Sequence, residues 1–297
     1  MIAFPGGVVG PLAGAFYLRA VAEGRNARGA LSVYPLDTLT SEFRRLASLL
    51  AAAGFIAPDD EARQLLDRAA GDSALLARLV ERRLTGEPLA WITGLAVFCD
   101  LLIRVDPGVY VPRPHTETLA RRAAERLTAH GTAVDLCTGS GAVAKVLGAE
   151  RPTARIVATD IDVNAVACAR TNGVEAFHGD LFEPLPRSLM GQVDVVVAVV
   201  PYVPTYELPL LQRDTFTFES QLSYDGGADG TDILRRVLAG APGFLKRGGA
   251  MLAEVGGDQA DLLSDDLASL GYTDVSVLSD EDGDVRGIEA MLRRAGA

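Results

Sequence analysis

Strand-like and helix-like segments alternate from about residue 116 to the end of the chain, and this alternation limits the folds open to it. Short apolar runs typical of strands are separated by longer segments whose apolar residues have helical spacing. The strand candidates are residues 133–138, 155–160, 174–178, 193–200, 249–255, 272–278 and 287–293. The helix candidates are residues 116–129, 141–151, 163–172, 231–245 and 258–270. This order predicts an α/β fold with a mostly parallel, doubly wound sheet.

The last two strand candidates are separated by the acidic segment 279–284, with no helix between them. A short turn can join antiparallel strands, whereas parallel strands need a longer crossover connection. We therefore expect a closing antiparallel hairpin on an otherwise parallel sheet.

A different organisation precedes the sheet domain of residues 116–297. Three segments with leucines at helical spacing predict a small helical domain over residues 36–95. A strand-rich connector follows over residues 96–115, with a turn at residues 106–108. Residues 1–35 are expected to form a poorly ordered extension, because their apolar, glycine-rich sequence is broken by proline and fits neither a signal peptide nor a membrane span.

Charge and cysteine content exclude several classes of protein. The net charge of −11 argues against direct binding to a nucleic acid, which usually requires a basic face. Three cysteines without paired spacing indicate reduced thiols and a cytoplasmic protein. The three histidines are scattered along the chain, so we expect no metal site. We also expect no membrane association, since the apolar segment at the start of the sequence is a poor membrane span.

Residues 135–141, Asp-Leu-Cys-Thr-Gly-Ser-Gly, have the composition of a nucleotide-binding loop. Gly139 and Gly141 lack a Cβ, which allows a ligand to approach the backbone closely. The helix that starts near Gly141 presents free N–H groups, and Asp160 at the end of the next strand can accept hydrogen bonds from ribose hydroxyls. The spacing Gly139-x-Gly141-x-x-Ala144 also fits a dinucleotide site, so a nicotinamide-dependent oxidoreductase stays open here.

Two further loops follow the third and fourth strands of the predicted sheet. Residues 179–182 place a carboxylate beside apolar side chains that can bracket a purine, and residues 199–204 contain a Pro-Tyr turn. Open α/β sheets bind ligands at the carboxyl ends of their strands, so all four loops are expected to form one site. A dehydrogenase does not require Asp135 inside the strand or the Pro-Tyr turn, which favours another nucleotide.

Several motifs together resemble the release factor glutamine methyltransferase family over about residues 36–297. They are Gly86-Glu-Pro-Leu-Ala-Trp-Ile-Thr-Gly94, Val111-Pro-Arg-Pro-His-Thr-Glu117, the loop 135–141, Asp160, Asp180 and Phe218-Glu219. The family consists of class I S-adenosylmethionine (SAM) enzymes that methylate N5 of the glutamine in a Gly-Gly-Gln motif. The resemblance implies a seven-stranded, Rossmann-like methyltransferase domain joined by a β-hairpin to a helical substrate-recognition domain. It also implies SAM as cofactor and a protein substrate, a class 1 peptide chain release factor.

The resemblance also assigns roles to individual residues. Asp160 would hold the ribose of SAM, and Asp180 and Leu181 would flank the adenine. The loop supported by Asp135 would contact the methionine part of SAM through Cys137, Thr138, Gly139, Ser140 and Gly141.

The chain departs from the family at the methyl-acceptor site. Pro201 and Tyr202 match the end of the family's Asn-Pro-Pro-Tyr signature, but Val199 and Val200 stand where the Asn and the first Pro are expected. In the family, that Asn and the adjacent backbone carbonyl accept the two N–H bonds of the substrate amide. Val199 has no acceptor, so we expect in-line transfer of the methyl group to an amide or another nitrogen with altered acceptor contacts. The alternative is a SAM-binding paralogue that has lost catalysis and acts as a binding module.

Overall fold

The computed structural model describes residues 41–211, 215–280 and 282–293, apart from the side chains of residues 215 and 216. The predicted extension 1–35 therefore lies outside the described residues. The chain divides into two compact units between Pro107 and Gly108.

The first unit is a group of helices followed by a β-hairpin. Its elements are α1 (Ser41–Ala52), α2 (Pro58–Ala69), α3 (Ser73–Leu84), α4 (Leu89–Thr93), β1 (Leu95–Phe98) and β2 (Leu101–Arg104). Leu46, Leu50, Leu65 and Leu79 form the centre of its hydrophobic core. Asp72 caps α3 by accepting a hydrogen bond from the N–H of Leu75 at 2.9 Å.

The hairpin lies largely within the predicted connector. Its tight turn lies at Cys99 and Asp100, whose φ angles are 47° and 62°. The turn predicted at residues 106–108 is also present, at Pro107 and Gly108. A two-residue hairpin turn with two positive φ angles usually contains Asn-Gly or a similar pair, so Cys-Asp gives little sign of it in the sequence. The division of the chain at Pro107 places the hairpin in the first unit, inside the range predicted as a connector.

The second unit alternates strands and helices, as the sequence predicts. After a 3₁₀ turn at Pro114–Thr116, its elements are α5 (Glu117–Arg126), β3 (Thr132–Leu136), α6 (Ala142–Glu150), β4 (Arg155–Asp160), α7 (Val163–Thr171), β5 (Glu175–His178), β6 (Val193–Ala198), α8 (Thr215–Phe218), α9 (Asp232–Phe244), β7 (Leu245–Ala253), α10 (Gln259–Leu262), α11 (Ser264–Ser269), β8 (Tyr272–Ser279) and β9 (Val285–Leu292). The predicted helix 258–270 is divided in two at Leu263.

The seven strands form one sheet in the order β5-β4-β3-β6-β7-β9-β8. Strands β3 to β7 are parallel, and β9 is antiparallel to both β7 and β8. This confirms the predicted class I methyltransferase fold with its closing antiparallel hairpin. The central strands are buried on both faces, which explains why their sequences are nearly continuous apolar runs.

The main hydrophobic core lies against this sheet. Val134, Val196 and Met251 from the central strands pack with Leu234 and Leu238 of α9. Within the described part of the chain, no helix is long and apolar enough to cross a membrane.

Candidate functional site

The four predicted loops lie at the ends of four adjacent strands. Strands β5, β4, β3 and β6 are neighbours in the sheet and run parallel, so their carboxyl ends meet at one edge. The loops that follow them contain Asp180, Asp160, Gly139 and Tyr202 respectively. The sheet order therefore brings the candidate cofactor residues and the Pro-Tyr turn together.

Asp135 holds the glycine loop through two hydrogen bonds. Its side chain is buried, and Oδ2 accepts hydrogen bonds from the Thr138 hydroxyl at 2.6 Å and from the N–H of Ala144 at 3.1 Å. Burial raises the pKa of Asp135 to about 7, against the opposing effect of these two bonds. This carboxylate therefore fastens the loop to the first turn of α6 and presents no free surface to a ligand.

The two glycines of the loop serve different purposes. Gly139 has a φ of 55°, and the nearest heavy atom to a Cβ placed there is the Cβ of Tyr110 at 4.0 Å. Gly141 has a φ of 81°, and a Cβ there would lie 3.0 Å from side-chain atoms of both Ala169 and Val174. Gly139 leaves open space for a ligand, whereas packing against Ala169 and Val174 requires glycine at position 141.

Asp160 connects the ends of β3 and β4. Its Oδ2 accepts a hydrogen bond from the N–H of Gly139 at 2.8 Å, and its Oδ1 accepts one from the N–H of Asp162 at 2.9 Å. Each carboxylate oxygen can accept a second bond, so both retain capacity for a ligand hydroxyl. Desolvation raises the pKa of Asp160 above its usual value.

Other residues at the glycine loop are held by internal contacts. Asn172, at the end of α7, donates a hydrogen bond to the carbonyl of Ser140 at 2.8 Å, a contact that the sequence did not reveal. Thr138 and Ser140 are both buried. Burial, reinforced by the Asp160 carboxylate, raises the pKa of Cys137, which disfavours the thiolate form that a nucleophilic cysteine requires.

The end of β5 carries an ion pair that sequence analysis did not find. Arg236 of α9 donates a hydrogen bond to Oδ2 of Asp180 at 2.6 Å, and both side chains are partly exposed. Leu181 has a φ of 45° and a side chain buried in the main core. At this end, Asp180 and Arg236 offer polar side chains to a ligand, and Leu181 offers little side-chain surface.

The Pro-Tyr turn after β6 is fixed through its backbone. Gln259 of α10 donates a hydrogen bond from Nε2 to the carbonyl of Tyr202 at 2.6 Å. The turn also packs tightly against residues 226–230, since a Cβ at Gly230 would lie 2.2 Å from the same carbonyl oxygen. Val200 is buried in the main core, whereas Val199 and Tyr202 are half-buried. Of the two substituted signature residues, Val199 is thus the one with exposed side-chain surface.

A buried carboxylate lies beside this turn. Glu254, which follows β7, is 1% exposed and accepts a hydrogen bond from the Thr116 hydroxyl at 2.6 Å. Nε2 of His115 lies 3.3 Å from its other oxygen. Burial, followed by the charge of the nearby Glu254 carboxylate, raises the pKa of Tyr202.

Two family motifs that are far apart in the sequence meet in a second network. Arg113 pairs with the buried carboxylate of Glu219 and donates a hydrogen bond to the Tyr224 hydroxyl at 2.8 Å. The N–H of Val111 donates to Glu219 at 3.2 Å, and the Arg113 guanidinium lies over the Tyr110 ring, 4.9 Å from its centroid. The network anchors Val111 and Arg113, which precede α5, to Glu219 and Tyr224, which follow α8.

The residues that the structure describes contain no group of three or more His, Cys, Asp or Glu side chains arranged to hold a metal ion.

Comparison with known proteins gives consistent matches. The family model for the methyltransferase small domain matches residues 101–200. The chain is 38% identical to the release factor glutamine methyltransferase of Neisseria gonorrhoeae, with 81% of this chain and 85% of that protein covered. It is 36% identical to the protein of the same description from Moorella thermoacetica, with coverage of 86% and 99%. Among solved structures, ribosomal protein L11 methylase from Lactobacillus delbrueckii subsp. bulgaricus matches with a TM-score of 0.46 at 20% identity, covering 67% of this chain and 89% of that one.

Proposed function

Because the chain belongs to the release factor glutamine methyltransferase family, we propose that its substrate is a peptide chain release factor, methylated on a glutamine amide. The chain is a SAM-dependent methyltransferase. The observation that supports the acceptor site is the position of the Pro-Tyr turn, which follows β6 directly beside the glycine loop that follows β3.

The residues at the ends of β3 and β4 fit SAM. The space above Gly139 admits a ligand, and the free acceptor capacity of Asp160 suits the two ribose hydroxyls. Asp180, paired with Arg236, is proposed to flank the adenine. When bound, SAM would supply an electrophilic methyl group: an N–C bond would form as the methyl–sulfur bond breaks, and the methylated nitrogen would release one proton to water.

The methyl-acceptor site has to orient an amide nitrogen, which is a poor nucleophile. The lone pair of an amide nitrogen is delocalised into its carbonyl, so the enzyme gains mainly by positioning that nitrogen. The Val199 side chain cannot accept an N–H bond, which leaves the Val200 carbonyl as the backbone acceptor of the turn. Val200 is held in extended geometry by Pro201, and Tyr202 provides an aromatic wall.

The helical unit before Pro107 is proposed as the part that recognises the protein substrate. The described cofactor residues all belong to the second unit, so the first unit is free for another role. The net charge of −11 suits a basic, ribosome-binding type of partner.

The test of this proposal is methyl incorporation into a purified release factor, read by mass spectrometry of its Gly-Gly-Gln peptide. Loss of one positioning contact typically costs about 10²–10³ in rate, so the unmodified protein should be slow. Val199→Asn restores an acceptor and should raise the rate at least tenfold, and Val199→Asn with Val200→Pro should raise it further. Val277→Asn, at a half-exposed position on the edge strand β8, is the matched control and should leave the rate unchanged.

Two outcomes would change the proposal. Rapid transfer by the unmodified protein would mean that another group has replaced the missing Asn. No transfer by any variant that still binds SAM would favour a different acceptor nitrogen or a binding module, the alternatives that Val199 raises.

A further inference from the structure

The direction in which the cofactor lies across the sheet follows from the strand order. The Pro-Tyr turn follows β6 and Asp160 ends β4, and β3 lies between these two strands in the order β5-β4-β3-β6. With the ribose at Asp160, the sulfonium end has to extend toward β6, where the methyl group meets its acceptor. The adenine is attached to the other side of the ribose and therefore extends toward the end of β5. The N–H of Gly179, directly after β5, donates to the carbonyl of Asp160 at 2.9 Å, so the loops after β4 and β5 are in contact.

The loop after β5 carries an ion pair at this place. Arg236 donates a hydrogen bond to Oδ2 of Asp180 at 2.6 Å. The Arg236 side chain is 54% exposed and that of Asp180 is 33% exposed, so neither is closed off from a ligand. The two oxygens of a carboxylate accept about four hydrogen bonds in total, so Asp180 retains acceptor capacity beside Arg236.

Arg236 belongs to a face of α9 that is packed against the same loop. Positions 236, 240 and 244 follow one another at intervals of four residues and lie on one side of the helix. A Cβ at Gly240 would lie 2.6 Å from the ring of Phe182, and the rings of Phe182 and Phe244 are stacked with their centroids 5.0 Å apart. This close packing fixes the backbone of α9 against the loop, which holds the Arg236 guanidinium near Asp180.

The chemistry of the pair favours a 6-aminopurine. An ionised carboxylate only accepts hydrogen bonds, and the 6-amino group of adenine donates them. A 6-oxo purine presents an acceptor at the same position, so the carboxylate loses water and gains no partner, which is costly. An exposed carboxylate that turns freely discriminates less well, whereas the fork of donors on Arg236 restricts the orientation of Asp180 before the ligand binds.

We propose that Arg236 is a specificity-determining residue for the cofactor, which holds Asp180 in the orientation that accepts the 6-amino group of adenine. Arg236 is a positioning residue, because it acts through the Asp180 carboxylate. The inference rests on the proposed function for the placement of the ribose at Asp160, and it does not depend on the identity of the methyl acceptor.

The test compares S-adenosylhomocysteine (SAH) with its 6-oxo analogue, S-inosylhomocysteine, in calorimetric titrations. The native protein should bind SAH at least about 30-fold more tightly, because a site built to pair with a donor rejects a ligand that lacks it. Asp180→Asn offers both an acceptor and a donor and should bring the two Kd values to within about threefold of each other. Arg236→Met keeps an unbranched side chain without the donors and should lower the ratio of the two Kd values at least about fivefold.

A double-mutant cycle separates positioning from direct contact. If Arg236 acts through Asp180, the variant Asp180→Asn with Arg236→Met should have the same Kd ratio as Asp180→Asn alone, to within about twofold. A guanidinium that contacts the adenine independently would instead change the ratio in both backgrounds.

Arg235 provides the matched control. It is the neighbouring arginine of α9 and pairs with Asp229 at 3.1 Å and with Asp266 at 3.0 Å, away from the loop after β5. Arg235→Met removes the same charge and should leave both Kd values within about twofold of the native ones. Because exposed ion pairs contribute little to stability, all of these variants should remain folded, and denaturant unfolding verifies this.

Equal affinity of the native protein for the two ligands, an unchanged ratio in Arg236→Met, or a further change of the ratio in the double variant would overturn the inference. Asp160→Ala, titrated with SAH in the same series, tests the ribose placement separately. If Asp160→Ala loses SAH affinity while Arg236→Met keeps the native ratio, only the role of Arg236 is refuted. If Asp160→Ala binds SAH as the native protein does, the proposed placement of the cofactor is refuted, and the role of Arg236 with it.

Discussion

Replacement of Asp160 separates the contribution of one carboxylate to folding from its contribution to cofactor binding. The structure shows that its two oxygens hold the N–H groups of Gly139 and Asp162 at 2.8 and 2.9 Å before any ligand binds. Hydrogen bonds to a charged group contribute about 1.5–3 kcal/mol each, so two give about 3–6 kcal/mol. The burial that raises the pKa of Asp160 opposes this gain, and we expect Asp160→Ala to lower the free energy of unfolding by about 2–4 kcal/mol.

The same change should weaken SAM binding by at least tenfold. Two ribose hydroxyls lose a charged acceptor, and a tenfold change in affinity corresponds to only about 1.4 kcal/mol. Denaturant unfolding without ligand gives the stability, and calorimetric titration with SAM gives the affinity at a temperature where the variant is folded. Asp160→Asn keeps one acceptor oxygen and should lie between the native protein and Asp160→Ala in both measurements.

Asp162 is the matched control for this experiment. Its side chain caps α7 by accepting a bond from the N–H of Asn164 at 2.8 Å, two residues beyond the proposed ribose contact. Asp162→Ala should cost about 1 kcal/mol of stability and leave the affinity for SAM within twofold. Unchanged SAM affinity in Asp160→Ala would refute the ribose assignment, and unchanged stability would refute the structural role of its two bonds.

Three further predictions follow from the same unit. Gly139→Ala should weaken SAM binding at least tenfold and lower the free energy of unfolding by about 1–2 kcal/mol. Gly141→Ala should lower it by about 2–5 kcal/mol, because backbone strain and packing clashes combine. Equal losses of stability in denaturant unfolding would contradict this difference. Burial raises the pKa of Asp135 in the folded protein from 3.8 to about 7. The contribution of Asp135 to stability is therefore complete below about pH 4 and falls by up to about 1.4 kcal/mol per pH unit toward pH 7. Asp135→Asn should flatten this slope when unfolding is measured across that range. A fragment of residues 108–297 should bind SAM within about threefold of the whole protein in calorimetric titration and lose methylation of a release factor, and retained turnover would refute the division of roles.

Much of the sheet domain follows from sequence pattern alone. Buried parallel strands require continuous apolar runs, and the runs before Asp135 and Asp160 are long enough to locate β3 and β4. The meeting of the four loops follows from the rule that open α/β sheets bind ligands at the carboxyl ends of their strands. The strand order itself comes from the structure. The hairpin turn at Cys99 and Asp100 could not be predicted, because positive φ angles are expected at glycine or asparagine.

The parts of the site that sequence analysis missed are contacts between distant residues. Glu254 and Thr116 are 138 positions apart, and Arg113 and Glu219 are 106 apart, so no local pattern records either pairing. The packing of Gly141 against Ala169 and Val174 could not be predicted, because these neighbours come close only once the helices are packed.

The glycine loop and the Pro-Tyr turn lie at neighbouring strand ends but rest on different side chains. Asp135, Asp160 and Asn172 hold the loop, whereas Gln259 holds the turn. Mutations can therefore accumulate on the acceptor side without removing the supports of the cofactor side. This modularity makes the domain evolvable, and it offers a route to engineered methyltransferases in which new acceptor turns are selected on an unchanged cofactor frame.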